Sequence, residues 1–174
     1  MIIIAKSKKK NRLKENNHII AEIRKQLKED SVVIEMCQEQ GYPVGIIDGV
    51  VLTFADDIEV SAKTVNSEIY LNEKLKSNPD DDQNWPILMR YAVHELTHAL
   101  QHMEREGLED SEEGKNYLDR DDELEAFQFQ IQFDLKERGP EDVIEYVEDL
   151  LEYHEVHEDE ADDKKQELFG RVTK

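Results

Sequence analysis

Apolar residues recur at helical spacing early in the chain, at Ile19, Ile20, Ile23 and Leu27, and predict an amphipathic helix over about 16–29. Val33, Ile34 and Cys37 continue the pattern in a second, shorter helix, with Ser31 as its expected cap and Gly41 near its end. The pattern changes at Tyr42-Pro43. From Val44 to Leu71 β-branched residues dominate and turn formers punctuate the run. Val50–Phe54 after Asp48-Gly49, the alternating stretch Ile58–Thr64, and Glu68–Asn72 as its hairpin partner predict a small sheet of three or four strands. Helical periodicity returns after a loop containing Pro79 and three consecutive Asp residues. Leu88, Ala92, Ala99 and Leu100 line one face of a helix with Pro86 in its first turn and Asn84 as an upstream cap.

A further helix is expected from about Asp122 to Arg138, with two apolar stripes, one of Leu124, Phe127, Ile131 and Leu135, the other of Ala126, Phe129 and Phe133. Between them run two polar seams. Glu125, Gln128 and Gln132 form the less charged one, expected to face an enclosed polar site; Glu123, Gln130 and Asp134 read as the solvent seam. Gly139-Pro140 opens a last helix with Val143, Tyr146, Val147, Leu150 and Leu151 on its apolar face. The organisation expected is a basic arm over 1–15, one α+β domain over 16–154, and an acidic tail over 155–174, solvated or a frayed helix.

Composition narrows the partners. A formal net charge of −20 argues against nucleic-acid phosphate and anionic membrane surfaces as partners. No stretch has the length of a membrane span, and Met1–Ile4 is too short for a signal sequence. A single cysteine, Cys37, rules out an intrachain disulfide and suits a reducing, cytoplasmic compartment.

The chemistry concentrates in His94-Glu95-Leu96-Thr97-His98, an H-E-x-x-H pattern on a predicted helix. Residues four apart share a face, so both imidazoles can address one ion, and Glu95 lies to one side as general base for a zinc-activated water. Catalytic zinc takes a third protein ligand. His102 lies about 12 Å along the helix axis from His94 and is too far on a straight helix. Glu104 stands where a metzincin would place a third histidine, so that extension fails. A carboxylate from the next long helix remains. Glu125 leads by the seam argument, with Glu123 and Asp122 behind it. His154 and His157 read as a surface pair in an acidic segment.

The His-Glu-Leu-Thr-His-Ala run at 94–99 resembles the gluzincin branch of the zincin metallopeptidases, and Glu125-Ala126 resembles the Glu-Ala pair that carries that group's third ligand. Phe129 stands where that group often has an Asp partnering a histidine. From about 31 to 155, including Tyr117-Leu118-Asp119 and the following Glu123, Glu125, Phe127 and Gln128, the chain also resembles small metallopeptidase-like proteins of tailed bacteriophages. The resemblance implies a zincin-like fold, a small mixed or antiparallel sheet packed on the motif helix and further helices. It also implies a Zn2+ cofactor held by His94, His98 and Glu125, and a peptide or protein substrate paired along Glu68–Asn72. His102, Tyr91 and Tyr117 are the candidates to stabilise the oxyanion. Two other readings remain at this point: a zincin-like binding or regulatory protein that keeps its metal without activity, and an acidic mimic of nucleic acid.

Overall fold

The computed structural model describes residues 2–104 and 116–172, the side chains of 2–14 and of residue 104 excepted. The fold is mixed α+β, six helices and a three-stranded sheet among the described residues. Helix α1 runs Ile2–Glu29, so the basic run expected as a separate arm continues the first helix; it contains neither Gly nor Pro, and Lys and Arg are good helix formers. Ile19, Ile23 and Leu27 are its buried face. Asp30, not Ser31, caps helix α2 (Ser31–Glu39): its backbone is extended and its carboxylate accepts from Val32 N at 2.8 Å and Val33 N at 3.2 Å. Gly41, at φ 77°, ends α2 in a Schellman turn, Tyr42 N donating to Cys37 O at 2.8 Å and Gly41 N to Gln38 O at 3.1 Å. Cys37 is a free, buried thiol, and burial pushes its pKa up.

The sheet comprises β1 (Leu52–Ala55), β2 (Ala62–Val65) and β3 (Glu68–Asn72) in the order β1-β3-β2. β2 and β3 form the expected antiparallel hairpin, turned by Asn66 and Ser67, both at positive φ. β1 joins β3 in parallel, which makes the sheet mixed. Glu68–Asn72 is therefore the central strand. It is engaged on both sides and has no edge to offer a peptide, contrary to the sequence expectation; β2 is an edge.

Ile69 and Leu71 of β3 pack with Leu88, Ala92, Val93 and Leu96 of helix α3 (Asn84–Glu104) in the main core. The cap of α3 is Asp81, upstream of the Asn84 expected; it accepts from Gln83 N at 3.1 Å and Asn84 N at 2.9 Å. The glycine- and acid-containing stretch Met103–Leu118, which by sequence links the motif helix to the next as a cover for the site or a mobile loop, lies over 105–115 outside the described residues.

Helix α4 (Asp121–Glu137) divides two cores as its apolar stripes predict. Phe129 and Phe133 face the main core, while Phe127 and Ile131 face a smaller one built with Val143, Val147 and Leu151 of helix α5 (Pro140–Tyr153). Its polar seams are the reverse of the sequence expectation. Glu123, Gln130 and Asp134 are buried, whereas Glu125, Gln128 and Gln132 are only half-buried. The buried seam is satisfied from other elements: Arg90 of α3 pairs with Asp134 at 3.1 Å, and Gln130 donates to the Tyr146 hydroxyl at 2.7 Å. The acidic segment after 155 is no solvated tail but helix α6 (Glu158–Leu168), whose Leu168 is fully buried in the smaller core. No helix among the described residues is long and apolar enough to cross a membrane.

Candidate metal centre

Helix α3 carries His94 and His98 one turn apart, both buried against α4. Across from them, the first turn of α4 brings in Glu123. Three atoms converge: His94 Nε2 and His98 Nε2 are 3.1 Å apart, His98 Nε2 lies 3.2 Å from Glu123 Oε2, and His94 Nε2 lies 3.4 Å from the same oxygen. Three lone-pair-bearing atoms pressed this close need a proton or a cation between them. A tetrahedral zinc with bonds of about 2.0–2.1 Å sets its ligand atoms about 3.3 Å apart. The observed triangle has that size, and both its donor set and its burial suit zinc. It is the one such His/Cys/Asp/Glu cluster found among the described residues.

The electrostatics agree with a closely coupled group. Burial alone would raise the Glu123 pKa, but hydrogen bonds and charge from His94 and His98 outweigh it and hold the carboxyl far below the usual range. Burial would lower the His98 pKa; hydrogen bonding and charge from Glu123 overcome it and raise it. Burial, followed by the charge of the Glu123 carboxylate, pushes the Tyr117 pKa up, in a residue that is 40% exposed overall. The Tyr117 ring stacks on His154 at 4.8 Å between centroids, and burial lowers the pKa of that imidazole. Phe127 closes the inner side, its ring 4.6 Å from that of His94.

Glu95 sits beside the triangle, buried, and is held from the sheet. Thr64 Oγ1 on β2 lies 2.8 Å from Glu95 Oε2 and 2.9 Å from the Glu95 carbonyl oxygen. His94, Glu95 and His98 are thus brought together as the motif predicts.

Glu125 is not. Its Oε2 accepts from Gln40 at 2.9 Å and Gln101 at 2.8 Å, and its Oε1 lies 3.6 Å from Arg171. Two residues on a helix are about 200° apart, so α4 cannot turn both carboxylates to the histidines. The Glu-Ala pair at 125–126 therefore does not supply the third position; Glu123 does. Asp122, the other fallback, pairs with Arg120 at 2.8 Å. His102 is exposed, and His157 bonds Asp159 at the surface.

Sequence reasoning missed Thr64 and Gln101. Gln101 was legible in principle, as a polar residue three positions after His98 on the same helix. Thr64, thirty-four residues before His98, carried no local signal. Comparison with protein-family models, curated proteins and solved structures gives no match for this chain.

Proposed function

We propose that the chain is a zinc-dependent hydrolase of peptide bonds, zincin-like in its use of His94, Glu95 and His98, with Glu123 as third ligand. The observation that supports this most is the triangle of His94 Nε2, His98 Nε2 and Glu123 Oε2, with edges of 3.1–3.4 Å in a buried site. Zinc, when bound, supplies Lewis acidity that brings water into the range where a carboxylate removes its proton. Glu95 is that carboxylate, and it then carries the proton to the departing amine. Thr64 orients Glu95 by hydrogen bonding. Tyr117, whose ring stacks on His154 and lies edge-on to Phe127, the ring beside His94, is the candidate donor for charge developing on the scissile carbonyl.

The substrate fits the outer side of β2. That strand pairs with β3 on one side and with no other strand among the described residues. An extended peptide added there would run past Thr64 and hence past Glu95, its main chain bonded to the edge.

The test is metal analysis of the purified chain together with hydrolysis of a casein or mixed-peptide substrate. Wild type should hold one zinc per chain and lose activity to a chelator. Glu95→Gln should keep the zinc and lose the hydrolysis. Activity that survives Glu95→Gln, or a chain that takes up no zinc, refutes the assignment. Zinc bound with no hydrolysis by wild type would make the chain a metal-keeping binding protein instead.

A further inference from the structure

The hydrogen bonds around Gln101 leave its side-chain amide no choice of orientation. Gln101 is buried, 3% exposed. Its Nε2 lies 2.8 Å from Glu125 Oε2 and 3.1 Å from the carbonyl oxygen of Asp122. A carboxylate and a carbonyl oxygen only accept, so the NH2 must face both of them. The amide oxygen is then the atom 2.9 Å from His98 Nδ1. That oxygen only accepts as well, so His98 Nδ1 must carry a hydrogen. The other ring nitrogen, Nε2, is the one aimed at His94 and Glu123.

Glu125 is itself held firmly. Gln40 donates to the same Oε2 at 2.9 Å, and Arg171 approaches Oε1 at 3.6 Å while pairing with Glu39 at 2.7 Å and lying 3.7 Å over the Phe129 ring. Residues of α2, α4 and the segment after α6 thus fix one carboxylate, which fixes one amide, which fixes one imidazole. His94 has no such support; its buried Nδ1 has no hydrogen-bond partner among the described residues.

We propose that Gln101, anchored by Glu125, is the positioning residue that locks the His98 imidazole with Nδ1–H bound and Nε2 presented to the metal site. Glu125, two residues from the ligand carboxylate, acts through this bridge and not on the ion. The consequence for metal binding rests on the zinc reading given above; the locking of the ring does not.

The experiment compares the full-length wild type with Gln101→Leu and with the exchange Q101E/E125Q. In the exchange, a carboxylate at 101 accepts from His98 Nδ1 and an amide at 125 donates to it, while the Gln40 amide must turn over to accept from residue 125 and the Asp122 carbonyl loses its donor, so the link to His98 is rebuilt but not the whole network. Zinc affinity is read by competition with a chromophoric chelator. Loss of such an outer partner lowers metal affinity about 10- to 100-fold; Gln101→Leu should show this, and the exchange should recover part of it. Nitrogen-resolved NMR of the metal-free protein gives a readout independent of zinc: wild type should show a His98 Nδ1 proton protected from solvent exchange, and Gln101→Leu should lose that protection. If wild type binds zinc and Gln101→Leu binds it equally well, the positioning role is overturned while the zinc reading stands. If wild type binds no zinc, the zinc reading falls and the NMR signal decides: a protected Nδ1 proton supports the lock, and an unprotonated or freely exchanging Nδ1 overturns it. Should Gln101→Leu fail to fold, the wild-type signal and the exchange variant decide in the same way.

Discussion

Glu123 and Glu125 lie two positions apart on α4 and have different jobs, which makes the pair the sharpest place to test the site. Structural zinc sites with four ligands hold the ion by about 10–16 kcal/mol, or roughly 2.5–4 kcal/mol for each ligand. At about 1.4 kcal/mol per tenfold change, removing Glu123 should weaken zinc on the order of 10²- to 10³-fold. Glu125 would act on a bound zinc only through Gln101, so Glu125→Ala should cost about tenfold, the low end for outer partners. The difference is readable as thermal stabilisation. At a zinc concentration 100 times the wild-type Kd, binding adds about 2.7 kcal/mol to wild type, about 1.4 kcal/mol to Glu125→Ala and under about 0.5 kcal/mol to Glu123→Ala. For a domain of this size each kcal/mol moves Tm by about 2–4 °C, giving zinc-induced shifts of about 5–11, 3–6 and under 2 °C. Scanning calorimetry with and without zinc measures all three. If Glu125→Ala abolishes the zinc shift and Glu123→Ala keeps it, the geometry of α4 described above is wrong.

Three further outcomes follow from other contacts. Thr64→Val removes a hydrogen bond to a carboxylate worth about 1.5–3 kcal/mol, so kcat for peptide hydrolysis should fall roughly 10- to 100-fold with KM and zinc content unchanged; Thr64→Ser should retain most activity, and an unimpaired Thr64→Val would remove the threonine from the mechanism. Arg90→Met strands the fully buried Asp134 without its closest cation and should destabilise the fold by about 3–5 kcal/mol in urea titrations, whereas R90M/D134L should recover much of the loss. Hydrogen bonds from Asn84 lower the Asp81 pKa from its ordinary value to about 2. The group therefore stabilises α3 fully above its unfolded pKa and loses that contribution as pH falls through about 2; Asp81→Ala should flatten the acid limb of stability below about pH 4 in circular-dichroism titrations.

The helices were legible wherever their apolar residues recur with the right period, and so was the motif pair. Ile19, Ile23 and Leu27 are the inner face of α1, and the two stripes of α4 do face two cores. The polar seams of α4 were not legible, for a physical reason. Two opposed apolar stripes leave two polar seams, and local periodicity treats them alike. Charge count favoured Glu125, Gln128 and Gln132 as the inner seam, because charged residues seldom lie inside unpaired. Here they are paired by residues far off in sequence: Glu123 by His94 and His98, Asp134 by Arg90, Gln130 by Tyr146. The segment after 155 misled in a similar way. Its charge is the outer side of a helix, and only Leu168, Phe169 and Ala161 show that it has an inner one.

The same contacts explain why α4 settles on one rotation. His98 meets Glu123 near the start of α4, and Arg90 meets Asp134 near its end, so the two helices run antiparallel with a charged pair at each end of their contact. Rotating α4 to bring Glu125 to the histidines would withdraw Asp134 from Arg90 and leave both buried without their partner, at a cost of several kcal/mol. It would also take Glu125 from Gln40 and Gln101. The arginine–aspartate pair, Arg90 one turn before His94 on α3 and Asp134 about three turns after Glu123 on α4, thus selects which glutamate faces the site. If zinc binds as proposed, the geometry of its site and the stability of the fold are coupled through the rotation of a single helix, so the Arg90→Met variant should also show weakened zinc binding, although Arg90 is not among the three converging residues.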